Sequence, residues 1–218
     1  MDVSLYPDII EKGGLARALA DSARAEGIDL GRLMASARSD GYTSVGLESD
    51  RGRIVVEIGV NRRMFVVSIS NGIIAWAQGS TPNLGEVARV AQSWQAGATL
   101  RGLRERCPFM YYSRLAQGYE DGNPIEVQWD VLLTDPDQDL IRPVLAAAQA
   151  DERLGRLFPI VSHFTSARFL VDHMDRSAGY VSIDLIGDGY QVDSTWVEEP
   201  VRVGTLDDAI AAAVTQLP

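Results

Sequence analysis

Residues 54–78 read IVVEIGVNRRMFVVSISNGIIAWAQ. Ile54, Val56, Ile58 and Val60 alternate along the chain, and Asn61-Arg62-Arg63 marks a turn. Phe65, Val67 and Ile69 then alternate in the same way. Asn71-Gly72 has the composition of a type I′ hairpin, which leaves Ile73–Gln78 as the returning strand. Apolar faces of period two joined by short turns require antiparallel pairing, and such a sheet needs an apolar cover. Upstream, Val45-Gly46-Leu47 leads through Asp50-Arg51-Gly52 into the same meander, and Leu15–Glu26 has helical spacing. Downstream, Asn83-Leu84-Gly85-Glu86 is a capping box. Leu84, Val87, Ala88, Ala91, Trp94 and Ala98 follow at helical spacing, so this helix is expected to lie across the sheet.

The plan recurs further along. Asp139 is placed to cap a helix from Leu140 to about Leu157, with Pro143 tolerated in its first turn. Strands are expected at Thr165–Val171, Tyr180–Leu185, Tyr190–Thr195 and Val201–Val203. A last helix opens at Thr205-Leu206-Asp207-Asp208. The expected fold is α+β, with two similar helix/antiparallel-sheet/helix units packed as one body. Residues 1–100 form the N-terminal unit and 139–218 the C-terminal one. Between them, 101–138 is expected to be an irregular aromatic-polar connector holding a short helix that starts at Asn123-Pro124-Ile125-Glu126.

Of 218 residues, 46% are apolar and 23% charged, the proportions of a soluble globular chain. A single cysteine, Cys107, excludes an internal disulfide framework and a Cys-rich zinc site. Two histidines exclude a multi-histidine metal site. No apolar run reaches ~18 residues, so a membrane span is not expected. Met1-Asp2-Val3-Ser4 lacks the basic and apolar segments of a leader, and the cytoplasm is the expected compartment. The net charge of −10 opposes nucleic-acid binding. It is carried by residues 111–218, with 18 acidic against 7 basic side chains.

No nucleophile elbow, zinc-protease helix motif, paired-cysteine motif or phosphate-binding glycine loop occurs. Asp135, Asp137 and Asp139 imitate the start of a calcium loop, but Leu140 and Ala146 stand where glycine and glutamate are needed. Neither metal nor cofactor is therefore expected. His163 reads as a hydrogen-bonded histidine at the edge of a core, or as a general acid or base. Glu120 has no evident capping or packing duty and is its carboxylate partner in that second reading. Trp129 reads as a core anchor or a ligand wall. Tyr111 and Tyr112 offer amphipathic surface for binding. Arg168, on the strand face opposite Ala167 and Phe169, is placed to pair with a carboxylate or hold an anionic group.

Several segments carry a resemblance. They are Glu86-Val87-Ala88 through Trp94-Gln95-Ala96-Gly97, Pro108-Phe109, Tyr119-Glu120-Asp121-Gly122, Glu126-Val127-Gln128-Trp129, Leu157–His163 and the closing helix to Leu217-Pro218. Together they resemble a large actinobacterial family of unknown function labelled natural product biosynthesis proteins, from about residue 80 onward. That family has phenylalanine where this chain has Cys107, which speaks against cysteine catalysis. It also has a longer apolar-aromatic run after the Ser-His pair. The resemblance implies a cytosolic role beside secondary-metabolite genes. The function expected is that of a non-catalytic accessory or binding protein, acting on a biosynthetic enzyme, a carrier, a peptide precursor or a small molecule. The alternative is a small-molecule enzyme using His163 and Glu120 in proton transfer. A homodimer through a sheet edge or the apolar helices is a third class.

Overall fold

The computed structural model describes residues 3–35 and 41–218; Met1 and Asp2, read above for a leader, lie outside the described residues. The fold is α+β with two antiparallel sheets, and the chain divides after Glu120 into two units. The first contains α1 (Pro7–Glu11), α2 (Leu15–Ala25), α3 (Leu84–Gln95), α4 (Leu100–Arg106) and α5 (Arg114–Asp121), whose last residue crosses the division. Its strands are β1 (Leu33–Ala35), β2 (Ser44–Ser49), β3 (Gly52–Ile58), β4 (Phe65–Ser70), β5 (Ala75–Thr81) and β6 (Met110–Tyr111). They pair in chain order. The alternating residues Val45, Leu47, Ile54, Val56, Phe65, Val67 and Ile69 are all buried, in one core with Leu15, Leu19, Val87 and Ala91 from α2 and α3. Each such side chain contributes ~1.5–3 kcal/mol through removal from water.

Two contacts fasten the start of the chain to the β3–β4 turn. The Tyr6 hydroxyl accepts from the Met64 amide at 3.0 Å and faces the carbonyls of Gly59, Arg62 and Met64, to one of which it can donate. Arg63 pairs with both carboxylate oxygens of Asp8 at 2.7 and 2.8 Å.

The second unit places α6 (Pro124–Thr134), α7 (Arg142–Ala150) and α8 (Leu206–Gln216) with a five-stranded meander. Its strands are β7 (Phe158–Ser162), β8 (Ser166–Leu170), β9 (Tyr180–Ile186), β10 (Gly189–Ser194) and β11 (Val197–Val203), again paired in chain order. Ala167, Phe169, Val181, Ile183 and Val192 share its core with Trp129, Val144, Leu145, Ala209 and Ala213. Each unit thus runs helices, meander, capped helix. The second unit is acidic in composition, with 17 carboxylates against 6 arginines.

Several local expectations are corrected. Asn71 is not left-handed; only Gly72 is, at φ 91°. The Asn71 side chain accepts from the Ile73 and Ile74 amides, so an Asx turn delays the returning strand to Ala75. The helix expected to reach Leu157 ends at Ala150, and Asp151 takes the amides of Arg153 and Leu154. Asp139 is not its cap but an ion-pair partner of Arg142. Phe158–Ser162, outside every expected strand, is an edge strand. Residues 101–138, expected to be an irregular connector, carry most of three helices.

Candidate functional site

β5 has β4 on one side along its length, but β6 on the other side at only two positions, Gln78↔Tyr111 and Gly79↔Met110. The close approach there depends on Gly79, where a Cβ would stand 2.6 Å from the Phe109 carbonyl oxygen. Beyond Tyr111 the chain turns into α5. The Ser113 hydroxyl accepts from the Ala116 amide at 3.0 Å and its carbonyl from the Gln117 amide, so helix capping draws the chain off the sheet. Between β4, the rest of β5 and Tyr111–Ser113 a cavity of about 410 Å³ opens. Its walls are Ser68, Ile69, Ser70, Ala75, Trp76, Ala77 and Gln78 together with Tyr111, Tyr112 and Ser113. None of these is acidic, cationic or histidine.

Trp76 reaches this position through a β-bulge. The register passes from Ile69↔Ala77 to Ser70↔Ala75, leaving Trp76 as the extra residue. Its ring lies 6.1 Å from that of Trp94 and 6.5 Å from that of Tyr119. The Arg51 guanidinium sits 5.0 Å from the Trp76 ring and 3.9 Å from that of Trp94. Arg51 also donates to the Ala98 carbonyl at 2.8 Å and to Glu120 Oε1 at 2.7 Å. The Trp76 indole N–H is buried and meets no acceptor.

Glu120 therefore has the structural duty that its sequence surroundings concealed. Its Oε2 accepts from the Leu100 amide at 2.9 Å while Oε1 takes Arg51, which ties the start of α4 to the β2–β3 turn. Tyr111, 53% exposed, and the half-buried Tyr112 do line the cavity together. Sequence reasoning missed Trp76, Ser68, Ser70 and Gln78; the bulge that aims Trp76 leaves no mark in an alternating pattern.

The remaining candidates belong to the second unit. Trp129 is 2% exposed, stacks on Phe169 at 5.8 Å and donates its indole N–H to the Gly155 carbonyl, so it is a core anchor rather than a ligand wall. His163 is not at a core edge. It is exposed in the β7–β8 turn, where it and Phe164 both have left-handed backbone, at φ 52° and 60°. Arg168 does face away from Ala167 and Phe169, 4.1 Å from the Tyr180 ring, with its Nε buried and without an acceptor. Cys107 is buried, and that burial pushes its thiol up, which opposes a nucleophilic role.

A larger cavity of about 550 Å³ lies among Asp8, Lys12, Asp21, Arg63 and Asn83. Its charges answer one another, Arg63 with Asp8 and Lys12 with Asp21. The cavity at Trp76 combines aromatic, serine and amide side chains without internal ion pairs and is the stronger candidate. Among the described residues no helix is long and apolar enough to cross a membrane. Comparison with protein families matches residues 123–218 to a family of unknown function, DUF6193. No curated protein and no solved structure matches the chain. Over 123–218, the stretch that begins at the Asn123 helix start, the chain is similar to that family.

Proposed function

We propose that this chain is a non-catalytic binding protein and that the cavity bounded by Trp76, Tyr111 and Tyr112 is its recognition site. The observation that carries this reading is the chemistry of the wall. It offers aromatic faces, three serine hydroxyls and the Gln78 amide, with no group that titrates near neutral pH. General acid–base work needs such a group, and an unassisted serine is a poor nucleophile. Apolar surface with a few convergent polar groups is instead what binds and orients an uncharged ligand.

The setting proposed is natural product biosynthesis in the cytoplasm, beside an enzyme, carrier, peptide precursor or small molecule. Its support is the resemblance of the segments from Glu86 onward; the family matched over 123–218 is itself of unknown function and adds no reaction. His163 and Glu120 do not enter this reading, because both Glu120 oxygens are engaged in holding α4.

The test is a titration with N-acetylphenylalaninamide and with indole, followed by amide NMR shifts. Shifts should cluster at Trp76, Gln78, Tyr111 and Tyr112 and fall at least fivefold in a folded Tyr112→Ala variant. Neither probe shifting those amides, or shifts surviving the substitution, would overturn the site.

A further inference from the structure

The sheet of the second unit buries one face, with Ala167, Phe169, Val181, Ile183 and Val192, against helix residues such as Val144 and Ala209. Side chains alternate along a strand, so the residues between these belong to the opposite face. There the register sets Arg168 of β8 beside Ser182 of β9, and Ser182 beside Asp193 of β10. Asp184 is the next residue of β9 on that face. Arg168, Asp184 and Asp193 are half-buried, and Ser182 in their midst is only 4% exposed.

The charges on this patch are unmatched. In a unit with 17 carboxylates, Arg142 and Arg156 pair with acids, Arg153 donates to the Val214 and Pro218 carbonyls, and Arg202 to Gln191. Arg168 is different: its guanidinium lies 4.1 Å from the Tyr180 ring centroid and meets no acceptor among the described residues, its Nε being buried. Asp184 takes only the Ser182 hydroxyl, at 3.4 Å, and Asp193 only the neighbouring Ser194 amide, at 2.8 Å. A guanidinium drawn partly out of water and left without an acceptor is costly, and a planar carboxylate is the partner that its fork fits.

We propose that Arg168, Asp184 and Asp193 form a second binding site, for a small zwitterion. Arg168 receives its carboxylate, and Asp184 and Asp193 receive its ammonium group. The mixed signs select this class. A simple anion would gain Arg168 but stand beside two like charges, and a simple cation would gain the acids but leave Arg168 unanswered. A molecule carrying both groups answers all three side chains, and the Ser182 hydroxyl can accept from the ammonium group as well.

The experiment titrates the intact chain with glycine, 4-aminobutanoate and 6-aminohexanoate, and separately with acetate and ethylammonium, following amide NMR shifts. Shifts should cluster at Arg168, Ser182, Asp184 and Asp193. The best of the three amino acids should bind at least tenfold more tightly than acetate or ethylammonium. Arg168→Gln and Asp184→Asn should each weaken it at least fivefold. The comparison of each zwitterion with its half-molecules uses the unaltered chain, so it decides the matter even where a substitution unfolds the unit. No shift with any amino acid, or acetate or ethylammonium binding as tightly as the best of them, overturns the proposal.

Discussion

Replacing Arg51 by alanine tests whether Glu120 is scaffold or chemistry. The guanidinium loses two aromatic faces, worth ~0.5–1 kcal/mol each where partly exposed. It also loses an ion pair whose partners are 28% and 15% exposed. Such a pair stands between a surface bridge, at ~0–1 kcal/mol, and a buried one, whose rupture costs ~3–5 kcal/mol. The first unit should therefore lose about 2–3 kcal/mol. With a urea dependence of ~2 kcal/mol/M, its midpoint falls by about 1–1.5 M. Glu120→Gln should itself destabilise by about 1 kcal/mol, because the carboxylate loses its charge-assisted bonds to Arg51 and the Leu100 amide. The double variant should cost less than the two singles combined, by about 1 kcal/mol or more. Urea denaturation by tryptophan fluorescence measures the free energies, and hydrogen exchange at Leu100 reports the helix start. A loss below ~0.5 kcal/mol for Arg51→Ala, or strict additivity, would refute the reasoning. A Glu120 that served catalysis alone would leave stability untouched.

Two further outcomes follow from local physics. Arg63 holds the Asp8 carboxyl below its usual range, so this pair adds stability above pH ~4 that disappears as pH falls through the lowered value. Both side chains are about two-fifths exposed, which limits the effect to roughly 0.5 kcal/mol. Asp8→Asn should remove that part of the acid limb in a pH series of denaturation curves, and an unchanged limb would count against the pair. At the β7–β8 turn, His163 and Phe164 hold left-handed backbone that costs ~1–2 kcal/mol per residue away from glycine and asparagine. The double change His163→Asn with Phe164→Gly should stabilise the second unit by about 1 kcal/mol in thermal or urea unfolding. A loss of stability would mean that the exposed phenylalanine packs better than its 57% exposure indicates.

The amino-acid order determined the central strands and their helical covers, because period-two and helical patterns report which face of an element avoids water. It did not determine β1, β6 or β7, because short edge strands are too brief or irregular to show such a face. Ile54, Val56, Val67 and Ile69 are core residues on that ground alone, as are Val87 and Ala91. Helix starts were legible as well. Asn83 caps α3 through the Gly85 amide and Thr205 caps α8 through the Asp208 amide, since capping needs only short-range chemistry. Thr81 took over part of the first box: it accepts from the Asn83 amide and bonds Glu86, which the four-residue motif does not contain. Asn123 shows the reverse limit, for α6 starts after it without a side-chain cap.

What only the tertiary structure decided were the roles that depend on partners far along the chain. Glu120 meets Arg51 across 69 positions, and Tyr6 meets Met64 across 58. A turn signal also yields to its surroundings: Asn71-Gly72 adopts an Asx turn, while His163-Phe164, with no glycine, takes two successive left-handed residues. The site itself arises from one bulged residue and one helix cap, Trp76 and Ser113, acting on opposite sides of a gap in the sheet. Periodicity reports burial averaged along a strand. It is silent about where one strand leaves another, because that depends on competition between a ladder and a cap that meet only in the folded chain.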